Sequence, residues 1–534
     1  MPSDSTSSGR PSPRPQWPSQ PPDLPPVRKP TPLDKDLKRI RRMEEAVATT
    51  TGRTSTRIGL GLLFLIGVCL FAGAQSGGVE QFWLVVIAGV IAGYMALNIG
   101  ANDVANNVSP AVGSQALTLT GALAIAAIFE AAGAIIAGGD VVATVSKGIV
   151  DPARLASAET LIHAMTAALL AAALWLNLAT HLGAPVSTTH SIVGAVAGSG
   201  IAAAGADAVD WAVMGQIAAS WVISPALGGV IAAAILLFVK YAILFREDKI
   251  AAAKRWLPIL VAIMAAAFSV YLVTKGLGRL WKPGTSILLL IGVGAFLLAW
   301  AIVRPMVNRA SQGLENRRKS VVTLFTVPLI CAAALLSFAH GANDVANAVG
   351  PLAAIVSASN TGGVQGTVSI PFWVMLVGAA GIAVGLALFG SRLIRAVGTQ
   401  ITKLDRARAF AIALSAAVTV IVASGLGLPV SSTHITLGAL FGVGFLRERL
   451  DRIRKPHRYA ALAAHESEAL RLLDPEDRDL AEKKGQKKAR KAQKRKLVRR
   501  QHLLTIVAAW LITVPLTAVL SAGLYVFSRA VWAG

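Results

Sequence analysis

Cysteine is almost missing from this chain: of 534 residues only Cys69 and Cys331 carry a thiol. Both lie inside apolar runs, which excludes a disulfide framework and a cysteine metal site and makes redox chemistry improbable. Charge is scarce too, at 15% of residues, while 54% are hydrophobic and the mean hydropathy is +0.60. Soluble domains do not carry that balance. The apolar residues gather in about twelve or thirteen runs of roughly 18 to 25 residues, long enough to cross ~30 Å of hydrocarbon as helices. They include short candidates at 185–204 and 429–446. Apolar residues are nearly absent from the Ser- and Pro-rich start, which marks a disordered tail rather than a cleaved signal peptide.

The formal charge of +23 would suggest nucleic acid in a soluble protein. Here it sits outside the apolar runs. Residues 1–57 hold 11 Lys/Arg against 6 Asp/Glu, and residues 447–502 hold 19 against 9. That distribution is a positive-inside bias with contact to anionic membrane lipid, and no nucleic-acid partner is expected, even at the KKGQKKARKAQKRK tract. The basic connections at 240–255 and 304–319, the N-terminal tail and the 447–502 loop are therefore placed in the cytoplasm, for a multi-pass protein of the inner membrane.

An internal repeat organises the rest. GANDVANNVSP at 100–110 returns as GANDVANAVGP at 341–351, and PVSTTHSIVGA at 185–195 returns as PVSSTHITLGA at 429–439. The offsets, 241 and 244 residues, are nearly equal. A weaker echo sets Trp221, Ser224 and Pro225 opposite Trp510, Thr513 and Pro515. The expected organisation is a disordered basic tail (1–56), a first transmembrane repeat (57–240), a linking pair (241–319), a second repeat (320–446), a basic loop (447–502) and a final helix (503–534). An odd number of spans separates equivalent points of the halves, so the repeats are inverted in topology. The fold class is all-α: a polytopic transmembrane bundle with two inverted repeats and broken or re-entrant helices at the midplane, an architecture common among secondary transporters.

The motifs place costly groups in lipid. An ionised carboxylate at mid-membrane costs at least about 2.5 kcal/mol, so Asp103 and Asp344 need compensation. Asn102, Asp103, Asn106 and Asn107 recur at helical spacings that let them face one cavity, and Asn343, Asp344 and Asn347 repeat the set. Carboxylate and amide oxygens suit Na⁺ or a proton-carrying site; the bland reading is hydrogen-bond glue between close-packed helices. In each PVS motif, proline ends one helix and leaves Ser187, Thr188 and Thr189, or Ser431, Ser432 and Thr433, on the first turn of the next. Free N–H groups and hydroxyls there form an anion-binding end, against the simpler reading of a helix cap. Glu130 is an intramembrane carboxylate with no acidic counterpart near 379–383, read as a proton carrier or cation ligand. His190 and His434 close the motifs as proton relays or as satisfied structural histidines.

With GANDVAN twice and PVS[TS]TH twice in this order, residues 80–530 resemble the inorganic phosphate transporter (PiT) family. The resemblance implies a symporter, not an enzyme, that moves inorganic phosphate with H⁺ or Na⁺ by alternating access and needs no cofactor. It assigns the coupling cation to Asp103, Asn106, Asp344 and Asn347, with Asp103 and Asp344 as metal ligands if the cation is Na⁺, and the motif spacing adds Asn102 and Asn343 to that cation set. It assigns phosphate to Ser187, Thr188, Thr189, Ser431, Ser432 and Thr433, and coupling to Glu130, 27 residues after the first motif aspartate. The partners are phosphate, cation and lipid, with a homodimer left open. A sulfate or metal-phosphate permease is the alternative. An intramembrane hydrolase is disfavoured because paired hydroxyls distinguish no single nucleophile.

Overall fold

Backbone groups in hydrocarbon must bond within their own segment, so apolar runs of this length become helices. The computed structural model describes residues 32–182, 186–276, 278, 281–361, 370–400, 404–450 and 501–532, and these are helical with short connections. In chain order the helices are α1 Pro32–Gln75, α2 Phe82–Gly113, α3 Leu119–Ala137, α4 Gly139–Ala143, α5 Ala158–Leu182, α6 Thr188–Ala204, α7 Trp211–Val239, α8 Lys249–Tyr271, α9 Thr285–Ala310, α10 Arg318–Thr323, α11 Thr326–Asp344, α12 Ala346–Thr361, α13 Phe372–Gln400 and α14 Arg406–Gly425. A helix over 432–450, α15, and α16 Gln501–Trp532 complete the set. Residues 59–534 form one compact unit, and residues 1–58 belong to another.

Eleven helical segments among the described residues are long and apolar enough to cross a membrane. The expected spans at 185–204 and 429–446 are not among them. They are α6, of 17 residues, and α15, each the second arm of a hairpin. In the first hairpin the chain leaves where it entered, because Val150 bridges Val209 and the Asp210 N–H donates to the Ile149 carbonyl. In the second, Leu404 at the foot of α14 and Leu440, Val443 and Leu446 of α15 belong to one hydrophobic cluster. The tail also departs from expectation, since α1 begins at Pro32 where disorder to residue 56 was foreseen. Proline at the first helical position and a run of Leu, Lys, Arg, Glu and Ala favour that helix. Residues 1–31 and 451–500 lie outside the described residues.

Burial separates the helices by role. In α14, 78% of the apolar window is buried inside the protein, but in α9 only 6%. Leu289, Leu290 and Leu298 of α9 stand 64–73% exposed, an apolar surface that requires lipid. The core helices exchange partners between the halves: α2 packs on α13 and α3 on α11, α6 on α16 and α7 on α14.

Close approach at these crossings depends on the motif glycines. A Cβ on Gly100 would overlap the Ile382 carbonyl oxygen, and one on Gly341 would overlap the Glu130 carbonyl oxygen. Ile382 therefore occupies against the first motif the place that Glu130 occupies against the second. Gly194 and Gly198 meet Val514 and Ala518 as Gly438 and Gly442 meet Pro225 and Gly229. Residues 514 and 518 of α16 thus take against α6 the positions that 225 and 229 of α7 take against α15. Gly341→Ala is expected to force α3 from α11 and lower thermal stability by about 1–3 kcal/mol. The detergent-solubilised melting temperature checks this, with Gly294→Ala on an exposed face of α9, where a Cβ meets nothing within 4 Å, as control.

Candidate functional site

The four motifs converge. Asn102, Asp103, Asn343, Asp344 and Asn347 are buried, as are Ser187, Thr188, Thr189, Ser431, Ser432 and Thr433; Asn106 is half-buried. The first GAND motif lies inside continuous α2, and the second spans the α11–α12 junction. The interruption there is slight, because Val345 keeps helical dihedrals (φ −56°, ψ −31°). Re-entrance comes from the hairpins rather than from broken GAND helices.

Asn102 and Asn343 hold the hairpin turns. The Asn102 amide donates to the Val186 carbonyl at 3.2 Å. The Asn343 amide donates to the Leu428 carbonyl at 3.1 Å and its oxygen accepts the Val430 N–H at 3.2 Å. Pro429 offers no backbone donor in the second turn, and the asparagines satisfy the backbone groups of Val186, Leu428 and Val430.

Asp103 joins the halves. It accepts a hydrogen bond from Thr188 of its own half at 2.9 Å and from Thr433 of the other half at 3.2 Å, with the Asn102 amide at 3.1 Å. Thr433 also accepts from Asn106 at 2.7 Å, and in the reciprocal arrangement the Asn347 amide lies 3.3 Å from both Thr188 and Thr189. Ser432 reaches Asp344 at 3.5 Å. The hydroxyls expected to serve phosphate and the carboxylates expected to serve cations are therefore in direct contact, not in separate compartments. Ser187 and Ser431 cap the hairpin helices, accepting the backbone N–H groups of His190 and His434 at 3.2 and 3.4 Å.

Asn107 turns away from that cluster. Adjacent helical residues project about 100° apart, so Asn106 meets Thr433 while Asn107 donates to Glu130 at 2.7 Å. Glu130 leads to a residue the motif reading passed over. His340 is fully buried, with Nδ1 3.4 Å from Glu130 and Nε2 2.8 Å from Asp344. The signal was present one residue before the second motif: SFAHGAND carries histidine where LNIGAND carries Ile99. Asp103, His340 and Asp344 each present a ligand atom within 4.8 Å of the others. Among the described residues, Glu130 Oε2, Asp344 Oδ1, Asn107 Oδ1 and Asn347 Oδ1 are buried without a hydrogen-bond partner. Hard oxygen acceptors of this kind, at the foot of helix ends rich in donors, suit a cation beside an anion.

A model of the phosphate transporter family matches residues 99–521. The chain belongs to this family. A protein of Helicobacter pylori named "Putative phosphate permease" is 47% identical over 92% of the chain and 98% of its own length. One of Haemophilus influenzae with the same name is 37% identical over 68% of the chain and 88% of its own length. A solved structure titled "The sodium-dependent phosphate transporter" superposes with a TM-score of 0.72 at 33% identity, covering 84% of the chain and 99% of that structure. The protein is thus an integral multi-pass membrane transporter of a phosphate-transporting family, not an enzyme. The Helicobacter relative also shows that the extended length, which departs from the shorter relatives, is shared by another member.

Proposed function

We propose that this transporter is a symporter that carries inorganic phosphate with a coupling cation by alternating access, its two halves forming an inverted repeat about one central site. One observation carries the reading: Asp103 is held by hydroxyls of both PVS motifs, so a single buried carboxylate ties the two anion-binding helix ends together. A phosphate dianion beside two aspartates is repelled unless cations or protons sit between, which builds coupling into the site. The exchanged helix partners and the exchanged Asn106–Thr433 and Asn347–Thr189 contacts support inversion. The sodium-dependent relative favours Na⁺ as the first cation to test, with H⁺ beside it. We place the N-terminus and the basic 447–502 loop on the cytoplasmic side of the inner membrane, in contact with anionic lipid.

Uptake of labelled phosphate into proteoliposomes under imposed Na⁺ or H⁺ gradients tests this. Accumulated phosphate is expected to rise about tenfold for each roughly 60 mV of coupling driving force per charge moved, the equivalent of a tenfold equilibrium ratio. Equal uptake with and without either gradient would remove symport. Excess unlabelled sulfate is expected to leave uptake unchanged, and full competition by sulfate would move the substrate to the tetrahedral alternative.

A further inference from the structure

His190 closes the first proline motif and has no role in the reading above. Its imidazole is 1% exposed and seated from several sides. Nδ1 lies 2.7 Å from Ser187 Oγ. The ring of Trp221 stacks on it with centroids 3.7 Å apart, and the ring of His434 meets it edge-on at 4.9 Å. Trp221 also donates its indole N–H to the Pro429 carbonyl at 3.2 Å, the first residue of the second proline motif. A single side chain of α7 therefore braces both anion-binding helix ends.

The consequence falls on the Ser187 hydroxyl, which has one proton to give and two lone pairs to fill. As the cap of α6 it already accepts the His190 backbone N–H at 3.2 Å. If Nδ1 carries the imidazole proton, that N–H fills the second lone pair, and the hydroxyl proton has no use within the motif. It must then donate outward. In the opposite tautomer the Ser187 hydroxyl would donate its hydrogen bond to Nδ1 and have nothing to offer an anion.

We propose that His190, held as its Nδ1–H tautomer against Trp221, is a positioning residue that makes Ser187 a committed hydrogen-bond donor to phosphate. The inference rests on Ser187 being a phosphate ligand, as read above. It also separates Ser187 from Thr188 and Thr189, whose hydroxyls are already directed at Asp103 and at the Val430 carbonyl.

A double-mutant cycle tests it. His190→Asn keeps a donor at the Nδ1 position, His190→Gln carries its amide one bond further out, and His190→Ala removes the group. Each is made alone and with Ser187→Ala, and labelled-phosphate binding to purified protein is measured beside KM, Vmax and cation half-saturation in proteoliposomes. His190→Ala and His190→Gln are expected to weaken phosphate binding and raise KM about tenfold, the loss of one charge-assisted hydrogen bond. Vmax and cation half-saturation should stay within about twofold, and His190→Asn within about threefold of the parent. In the Ser187→Ala background no His190 variant should add a further effect. A His190→Ala penalty equally large without the serine hydroxyl would overturn the proposal, as would His190→Asn behaving like His190→Ala. A parent protein that binds phosphate but does not couple it to a cation gradient would defeat symport alone, leaving the cycle to be read from binding.

Discussion

Asp103→Asn is expected to lower phosphate uptake by at least about a hundredfold while the protein still folds and inserts. The substitution keeps the shape of the side chain but removes the charge that Thr188 and Thr433 address from opposite halves. One of the two oxygens becomes an NH₂ donor facing a hydroxyl, so that hydroxyl must turn or lose its partner. Removing one partner of a buried charged network costs about 3–5 kcal/mol, and every 1.4 kcal/mol is roughly tenfold. Asp344→Asn is expected to act in the same direction through Ser432 and His340, with a smaller effect, because Ser432 stands at 3.5 Å. Initial rates of labelled phosphate uptake, normalised to reconstituted protein, decide the matter. Wild-type rates in both variants would overturn the assignment of the aspartates to transport.

The second large effect belongs to Glu130. Glu130→Ala strands the buried Asn107 amide, which donates to it at 2.7 Å, and removes the carboxylate 3.4 Å from the His340 imidazole, leaving that ring only Asp344. Cation-driven uptake is expected to fall by about a hundredfold, again from a buried network broken on one side. Glu130→Gln discriminates charge from shape, since its oxygen can still accept from Asn107 but carries no charge toward His340. The expectation for Glu130→Gln is phosphate binding close to that of the parent with the dependence of uptake on the cation gradient flattened. Binding of labelled phosphate and uptake with and without the gradient separate the two quantities. A Glu130→Gln transporter with an undiminished gradient response would leave Glu130 a purely structural acceptor.

Both predictions turn on asymmetry within a nearly symmetric site. Glu130 and His340 face each other across the α3–α11 crossing, and the equivalent crossing of α2 and α13 presents Ile99 and Ile382. The second-half aspartate therefore contacts His340 directly, at 2.8 Å, while the first-half aspartate, within 4.8 Å of the same pair, takes the hydroxyls of both hairpins. Equivalent residues in the two halves are thus expected to tolerate substitution unequally.

The sequence by itself determined a great deal of this. Runs of apolar residues longer than a bilayer is thick must be helices, and charged or amide groups inside such runs must be compensated. The GAND and PVS motifs were therefore recognisable as a paired site, and Glu130 as a lone acid, without coordinates. Helix periodicity could not say that Asn107 leaves its neighbour Asn106 for Glu130, because both directions satisfy the same spacing. It could not show that His340 belongs to the site, since the repeat was read from its glycine inward and the histidine stands just outside. Nor could it reveal that Thr433 binds Asp103 across 330 residues of sequence or that Trp221 reaches Pro429. Local chemistry fixes what each segment must be, but the choice of partner depends on which backbones can approach. That was decided by the crossings at Gly100 and Gly341, where the absence of a Cβ lets each GAND helix lie directly on a helix from the other half.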